Sequence, residues 1–241
     1  MGFKKEKPLF IFFIFISLLF HYSSEAYQYI DNEYIIRIVA YLNFVLYLSF
    51  KPIEVFFHEA SHGLAALATA TKFYTINLSW DGSGYLVYEK TGDAGMIITA
   101  FFGYAGASIW GYLIYQSSLI PRKINRFLLI LFCVAFIFYS ADLVTAIILA
   151  IISIVFILSW ISGHFGTYLL RFIGIFIMVS ALFSPTYLLN HTSRGDHIIL
   201  QNSTSIPSIV WISIWFLLSL LCLIHAYKLT SSDNILSKKN N

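Results

Sequence analysis

Long runs of apolar residues, separated by short polar segments, dominate the pattern along this chain. A helix that crosses a bilayer needs roughly 20 mainly apolar residues. Four runs meet this requirement clearly, at residues 96–119, 143–162, 167–184 and 208–227. They predict four transmembrane helices.

Four further apolar runs are shorter, at residues 8–22, 35–50, 53–70 and 127–141. Lys51-Pro52 separates the second from the third, and a proline at this point predicts that a new helix begins there. The run at 8–22 follows three lysines, so it is either a retained first span, which we favour, or a signal peptide. Together the eight runs predict an all-α polytopic membrane protein with about seven or eight transmembrane segments.

Residues 72–90 carry a different pattern. β-Branched and aromatic residues lie on both sides of Asp81-Gly82-Ser83-Gly84, which is typical of a β-hairpin with a glycine-containing turn. An open sheet edge cannot face lipid, so we expect this short hairpin at the surface or in the wall of a cavity. Its edge strand would be able to pair with an extended peptide.

The composition excludes several classes of protein. Hydrophobic residues make up 59% of the chain and charged residues 11%, against roughly 45–50% and about 25% in soluble domains. A net charge of +3, with basic residues mostly at chain ends and in short loops, argues against a nucleic-acid partner. Cys133 and Cys222 lie inside apolar runs and are interpreted as buried hydrophobic residues. We therefore expect an integral, multi-pass membrane protein in contact with lipid.

One motif in the 53–70 run indicates metal chemistry. His58-Glu59-Ala60-Ser61-His62 is an HExxH sequence, and on a helix residues i and i+4 share a face, so both imidazoles can reach one Zn²⁺. Glu59 is close enough to contact a coordinated water without being a ligand itself. Because zinc lowers the pKa of that water towards about 7, Glu59 can take its proton as a general base. The motif thus predicts two zinc ligands and one catalytic group.

A catalytic zinc usually has three protein ligands, and the third must come from elsewhere in the chain. Asp142 lies between two apolar runs, where a lone carboxylate needs a partner, so burial favours it. Asp196 lies in the polar segment before the last span. The imidazole alternatives are His164, His191 and His197.

Small residues follow one another along the 96–119 run, at Gly103, Gly106, Ala107 and Gly111. Such residues allow helix backbones to approach closely in lipid. We therefore expect this helix to pack tightly on the HExxH helix.

Several segments carry a resemblance to a known family. They are the HExxH segment at 57–67, the β segment ending in Gly82-Ser83-Gly84, the helix containing Phe102-Gly103-Tyr104-Ala105-Gly106, and Ser193-Arg194-Gly195-Asp196 before the last span. In these features the chain resembles the M50 metallopeptidases, the site-2-protease group, and especially their M50B-like branch. The likeness covers roughly residues 53–227.

The resemblance implies a membrane-embedded zinc peptidase with His58 and His62 as ligands and Glu59 as base. In site-2 proteases an Asp-Gly motif on a later helix supplies the third ligand, but the Asp-Gly of this chain, Asp81-Gly82, lies in the hairpin. The M50B-like branch places an aspartate before the final span, which favours Asp196 over Asp142. The predicted domains are an N-terminal span or signal-anchor with an acidic loop at 1–34, a metallopeptidase-like domain at 35–230 and a polar tail at 231–241.

The expected function is a zinc metalloendopeptidase that hydrolyses membrane or membrane-proximal protein or peptide substrates with a zinc-activated water. In a prokaryotic host it would lie in the cell membrane. A non-catalytic scaffold or chaperone is one alternative, although such a protein has no need of Glu59. A transporter with Asp142 and the histidines as its polar pathway is another, but the sequence shows no pair of broken helices in matching halves.

Overall fold

This computed structural model describes residues 6–26, 33–89, 92–119, 123–188 and 195–236. Eight helices and one β-hairpin make up this described part of the chain. Residues 237–241 of the predicted polar tail, His191 and the loops at 27–32 and 189–194 lie outside these residues. The elements in chain order are α1 (Glu6–Ala26), α2 (Glu33–Ala68), β1 (Phe73–Leu78), β2 (Gly84–Tyr88), α3 (Asp93–Leu119), α4 (Lys123–Ile137), α5 (Leu143–Ile161), α6 (Gly163–Tyr187), α7 (Asp196–Thr204) and α8 (Ser208–Leu236).

Four of the described helices are long and apolar enough to cross a membrane. They are α3, α5, the Gly163–Thr186 part of α6 and the Ser208–Thr230 part of α8. These helices correspond to the four clearest apolar runs of the sequence, so that prediction is confirmed. The apolar part of α4, Ile124–Ile137, is shorter than a usual span. The larger total of seven or eight spans stays a prediction.

The predicted helix boundary at Lys51-Pro52 is wrong, because both residues lie inside α2, a single helix of 36 residues. Proline in a helix interior removes one backbone hydrogen bond and costs roughly 3 kcal/mol. The residues that follow offset this cost by packing: Ile53, Phe56 and Phe57 are 2% exposed or less and belong to the main core. Tertiary packing therefore overrides the local signal, and the HExxH residues lie in the second half of one long helix.

Helix α3 occupies the centre of the fold and packs against α2, α6, α7 and α8. Two glycines permit a close crossing between α3 and α6. A Cβ atom on Gly111 would lie 2.8 Å from the Gly174 carbonyl oxygen of α6, and one on Gly174 would lie 2.6 Å from that of Gly111. The small residues of α3 therefore pack against two different helices. Gly111 packs against α6, whereas Gly103 and Gly106 pack against α2, as expected.

The predicted hairpin is present, with β1 and β2 antiparallel. Asp81 accepts hydrogen bonds from the Ser83 amide (2.9 Å) and hydroxyl (2.7 Å), which hold the pKa of its carboxyl below the ordinary value. The other edge of β1 is also paired, because the Ile76 amide donates to the Tyr139 carbonyl (2.8 Å) and the Ala141 amide donates to the Ile76 carbonyl (2.9 Å). Within the described residues, β2 is therefore the free edge of this small sheet.

We predict that Gly111→Ala lowers the thermal stability of the detergent-solubilised protein. The added methyl group would meet backbone atoms that cannot move independently, and overpacking of this kind typically costs about 1–3 kcal/mol. For a chain of this size the unfolding midpoint should fall by roughly 5 °C. Gly92→Ala is the matched control, because a Cβ atom there has no heavy atom within 4 Å. Equal midpoints for the two variants would contradict the proposed close crossing.

Candidate metal centre

The second half of α2 brings the two motif histidines together. His58 and His62 are one helical turn apart, and their Nε2 atoms are 3.1 Å from each other. Only 14% of the His58 side chain and 9% of the His62 side chain are exposed. Both imidazoles line a cavity of about 460 Å³, so the i, i+4 spacing delivers two nitrogen donors to one accessible point.

A carboxylate from the other end of the chain completes this cluster. Asp196 is the first residue of α7, and its Oδ2 atom is 3.3 Å from Nε2 of His58 and 3.3 Å from Nε2 of His62. The preceding Gly195 has φ 118° and ψ 169°, a backbone region essentially restricted to glycine. The turn that aims Asp196 at the histidines therefore depends on that glycine.

The protonation of His62 is set by a backbone carbonyl. Its Nδ1 is 2.7 Å from the oxygen of Thr99 on α3, and a carbonyl only accepts, so Nδ1 carries the hydrogen. In the neutral ring, Nε2 then presents a lone pair to the Asp196 carboxylate, and two acceptors 3.3 Å apart repel each other. The contact becomes favourable when a proton or a metal cation lies between them. Nδ1 donation to a carbonyl is the usual orientation of a metal-binding histidine.

The three donor atoms form a triangle with sides of 3.1, 3.3 and 3.3 Å. Tetrahedral zinc, with bonds of roughly 2.0–2.1 Å, separates its ligand atoms by about 3.3 Å. Two imidazoles and one carboxylate are also a donor set that zinc accepts. The cluster of His58, His62 and Asp196 thus fits a zinc ion in both size and chemistry. Among the described residues it is the one group of three or more His, Cys, Asp or Glu side chains that could hold a metal ion.

The electrostatics of Asp196 agree with a carboxylate that stays ionised. Burial alone would raise the pKa of this carboxyl, but the facing imidazoles of His62 and His58 outweigh burial and hold the pKa well below its usual range. A charged carboxylate beside two imidazoles is a suitable ligand for a divalent cation.

The structure places Asp142 elsewhere. It is exposed, contrary to the burial inferred from its neighbours, and it caps the start of α5 by accepting from the Thr145 amide (2.7 Å) and the Asn77 side chain (3.0 Å). The Thr145 hydrogen bond lowers the pKa of Asp142. The apolar runs on both sides are separate helices joined by a surface turn, which explains why local sequence suggested burial.

The histidine alternatives among the described residues also lie outside the cluster. His164 is exposed near the start of α6, and His197, although 1% exposed, faces Gly195 rather than the two motif histidines. His197 follows Asp196 directly and lies roughly a quarter turn farther around α7, outside the donor cluster.

Helix α3 lies directly against the metal-binding face of α2. A Cβ atom on Gly103 would be 2.5 Å from the His62 ring and 2.7 Å from the His58 ring, and one on Gly106 would be 2.3 Å from the Ser61 hydroxyl. No side chain fits at these two positions without moving a histidine or α2. The approach also brings the Thr99 carbonyl to His62.

Glu59 is 6% exposed and lines the same cavity as the three donors. The beginning of β2 packs on it, since a Cβ atom on Gly84 would lie 3.2 Å from Glu59 Cγ. A second acidic residue, Glu54, lies farther along the cavity and forms an ion pair with Lys51 (2.5 Å), whose ammonium group also reaches the Ser184 hydroxyl (3.4 Å). The cavity therefore extends from the hairpin, past the donor cluster, to a charged pair.

Sequence reasoning did not identify Thr99, because its contribution is a backbone carbonyl that any residue could provide. Gly195 and Gly103 were noticed only as parts of motifs. A glycine directly before a candidate ligand, and one in a helix at the level of a histidine pair, were the signals that could have assigned them these roles.

A model of the Peptidase M50B-like family matches residues 32–226, which include the HExxH motif, the hairpin and Asp196. No curated protein and no solved structure matches the chain.

We predict about one zinc ion per purified chain, measured by elemental analysis. His58→Ala and His62→Ala should lose it, because two remaining donors bind zinc weakly. Asp196→Asn should also lower the zinc content, whereas Asp142→Asn, at the exposed cap of α5, should retain the wild-type amount. A wild-type zinc content in Asp196→Asn, or a loss confined to Asp142→Asn, would contradict the assignment of the third ligand.

We also predict that Gly103→Ala weakens zinc binding although it changes no ligand. The added methyl group would push the His58 and His62 rings away from each other or from Asp196. Competition with a chromogenic chelator should show an affinity lower by about 10-fold or more, the size of effect that supporting residues have on metal sites. Gly92→Ala should bind zinc like wild type, and the same affinity in both variants would show that the α2–α3 approach does not control the site.

Proposed function

The chain belongs to the Peptidase M50B-like family, and on this basis we propose that it is a membrane-embedded zinc metalloendopeptidase that cleaves membrane or membrane-proximal substrates. The observation that carries the proposal is the meeting of His58, His62 and Asp196 at one point of a cavity that Glu59 also lines. This arrangement supports the proposal, because the residues proposed as ligands, the residue proposed as base and a cavity with room for a peptide lie together.

Each residue of the cluster has a separate task in this proposal. His58, His62 and Asp196 hold the zinc ion, which when bound activates a water molecule and polarises the peptide carbonyl. Glu59 is not a ligand; it accepts a proton from the attacking water and delivers it to the departing amine. The Thr99 carbonyl keeps the His62 ring oriented with Nε2 towards the cavity. The apolar surroundings strengthen all of these electrostatic interactions.

The free edge of β2 suggests how a substrate would bind. β2 contributes Gly84, Tyr85, Leu86 and Tyr88 to the cavity that holds the donor cluster, and in the described residues the outer edge of this strand has unpaired backbone groups. An extended peptide can pair with such an edge. Since a helical substrate hides its backbone in intrahelical hydrogen bonds, the proposed substrate is a membrane protein or peptide whose cleaved segment is unwound.

Two observations weigh against the other functions considered. A polar transport pathway that combined Asp142 with the histidines finds no support, because Asp142 caps α5 outside the cavity. A scaffold would require neither Glu59 in the cavity nor three donors at zinc-like spacing. The scaffold is nevertheless the function that would replace the proposal if catalysis fails.

We predict that Glu59→Gln retains zinc and folding but loses peptide cleavage. The carboxamide is nearly the same size, yet it cannot accept the proton, and general acid–base groups contribute typically 10²–10⁴-fold. The measurement is a proteome-wide comparison of full-length membrane proteins in a deletion strain complemented with wild type or variant. Substrates should accumulate with Glu59→Gln.

Glu89→Gln provides the control, because Glu89 is an exposed glutamate just beyond β2. It should restore cleavage fully. If Glu59→Gln complemented the deletion as well as wild type, the peptidase proposal would fail and a non-catalytic role would take its place.

A further inference from the structure

Tyr104 follows Gly103 on α3, at the point where α3 packs against the two histidines of α2. Its ring meets the His58 ring edge-on, with centroids 4.4 Å apart and an interplanar angle of 70°. On its other side it contacts Trp215 of α8, with centroids 4.9 Å apart. Two neighbours thus hold the ring in place, and the side chain lines the cavity beside the donor cluster.

The hydroxyl group of Tyr104 has no visible structural task. It forms no hydrogen bond with any residue in the described ranges, and it is not among the fully enclosed polar atoms. Tyr115, about three turns farther along α3, behaves differently, since its hydroxyl forms a hydrogen bond with the Thr230 hydroxyl at 2.5 Å. A phenol that is fixed by packing but unbonded, at the wall of a reactive cavity, is available to a ligand.

The proposed reaction has a use for a further donor in this cavity, whose wall also carries the carboxyl groups of Asp196, Glu54 and Glu59. Water addition to a peptide places negative charge on the carbonyl oxygen, which the bound cation would stabilise and which a donor from the protein would stabilise further. A fixed hydrogen-bond donor that is aimed at the oxygen stabilises the transition state.

Other donors of the cavity wall are already engaged. The Lys51 ammonium group forms an ion pair with Glu54 and donates a hydrogen bond to the Ser184 hydroxyl. The Ser83 hydroxyl donates a hydrogen bond to Asp81. Tyr85 is 56% exposed on the hairpin. Two half-buried phenols remain, Tyr88 and Tyr104, and only Tyr104 has its ring against a histidine of the donor cluster.

We propose that Tyr104 is a further catalytic residue, whose hydroxyl donates a hydrogen bond to the carbonyl oxygen of the peptide bond under attack. This inference rests on the proposed peptidase function. The hydroxyl keeps its proton throughout, so the step consumes no co-reactant. Tyr104 does not contribute to zinc binding, which separates its role from those of His58, His62 and Asp196.

Tyr104→Phe tests the proposal, because it removes the hydroxyl and leaves the ring packed between His58 and Trp215. We expect wild-type zinc content, an unchanged unfolding midpoint, and a kcat about 100-fold lower on a fluorescence-quenched peptide library, with KM altered by less than about threefold. The matched control is Tyr112→Phe on the same helix, whose ring stacks on His225 away from the cavity. It should cleave like wild type.

A binding measurement gives a readout that does not depend on turnover. By calorimetry, a dipeptide phosphonamidate, which carries a tetrahedral oxyanion, should bind Tyr104→Phe about 10-fold or more weakly than wild type. The hydroxamate of the same dipeptide, which lacks that tetrahedral oxygen, should bind both proteins equally. A purely structural role for Tyr104 would weaken both ligands together and would overturn the proposal.

The remaining outcomes separate this inference from the proposed function. If wild type cleaves peptides and Tyr104→Phe cleaves them at the same rate, the inference is wrong and the peptidase function stands. If Tyr88→Phe shows the kcat loss instead, the donor lies on β2 and the assignment to Tyr104 is wrong. If wild type neither cleaves peptides nor binds the phosphonamidate, both proposals fail.

Discussion

Gly103 lies so close to His62 and His58 that a methyl group in its place would be 2.5 Å from the first ring. This contact between the α3 backbone and the histidine face of α2 determines much of the candidate site. It brings the Thr99 carbonyl to Nδ1 of His62 and the Tyr104 ring to His58. Because α7 and α8 also pack on α3, the same helix forms the platform on which Asp196 approaches from the far end of the chain.

In the apolar surroundings of this site, a polar group without a bonding partner carries a large free-energy cost. Within such a medium, ionisable groups occur where they have partners or a function. The Lys51–Glu54 pair and the cluster of His58, His62 and Asp196 follow this rule. Glu59 differs, since it is buried beside the cluster without a basic side chain bonded to it in the described residues. A buried carboxylate is a costly feature to maintain for stability alone, and its position agrees with a role in proton transfer.

The hairpin shows how a β element is accommodated in a chain of membrane helices. One edge of β1 pairs with β2 and the other with residues 139–141 just before α5. The amide and carbonyl groups of Ile76 on that second edge are thereby satisfied within the protein, as an apolar environment requires. Among the described residues the outer edge of β2 remains unpaired, and residues of β2 line the cavity that contains the donor cluster.

The sequence alone was sufficient for features that depend on neighbours along the chain. Run length identified the four clear spans, the i, i+4 spacing predicted that His58 and His62 share a face, and the turn residues Asp81–Gly84 predicted the hairpin. Each follows from the fixed geometry of a helix or a turn. Where local rules competed with packing they failed, as at Pro52, which α2 passes through because the buried residues after it stabilise the helix.

Only the tertiary structure could decide which distant groups meet. Burial inferred from neighbouring residues pointed to Asp142, whereas packing exposes Asp142 and brings Asp196 to the histidines. The resemblance to a family had favoured Asp196, but no local pattern measures its distance from α2. Thr99 contributes a backbone oxygen and Tyr104 a packed ring, and neither has a sequence signature. Their positions result from how α3 lies against α2, which is determined by contacts across the whole fold rather than by spacing along the chain.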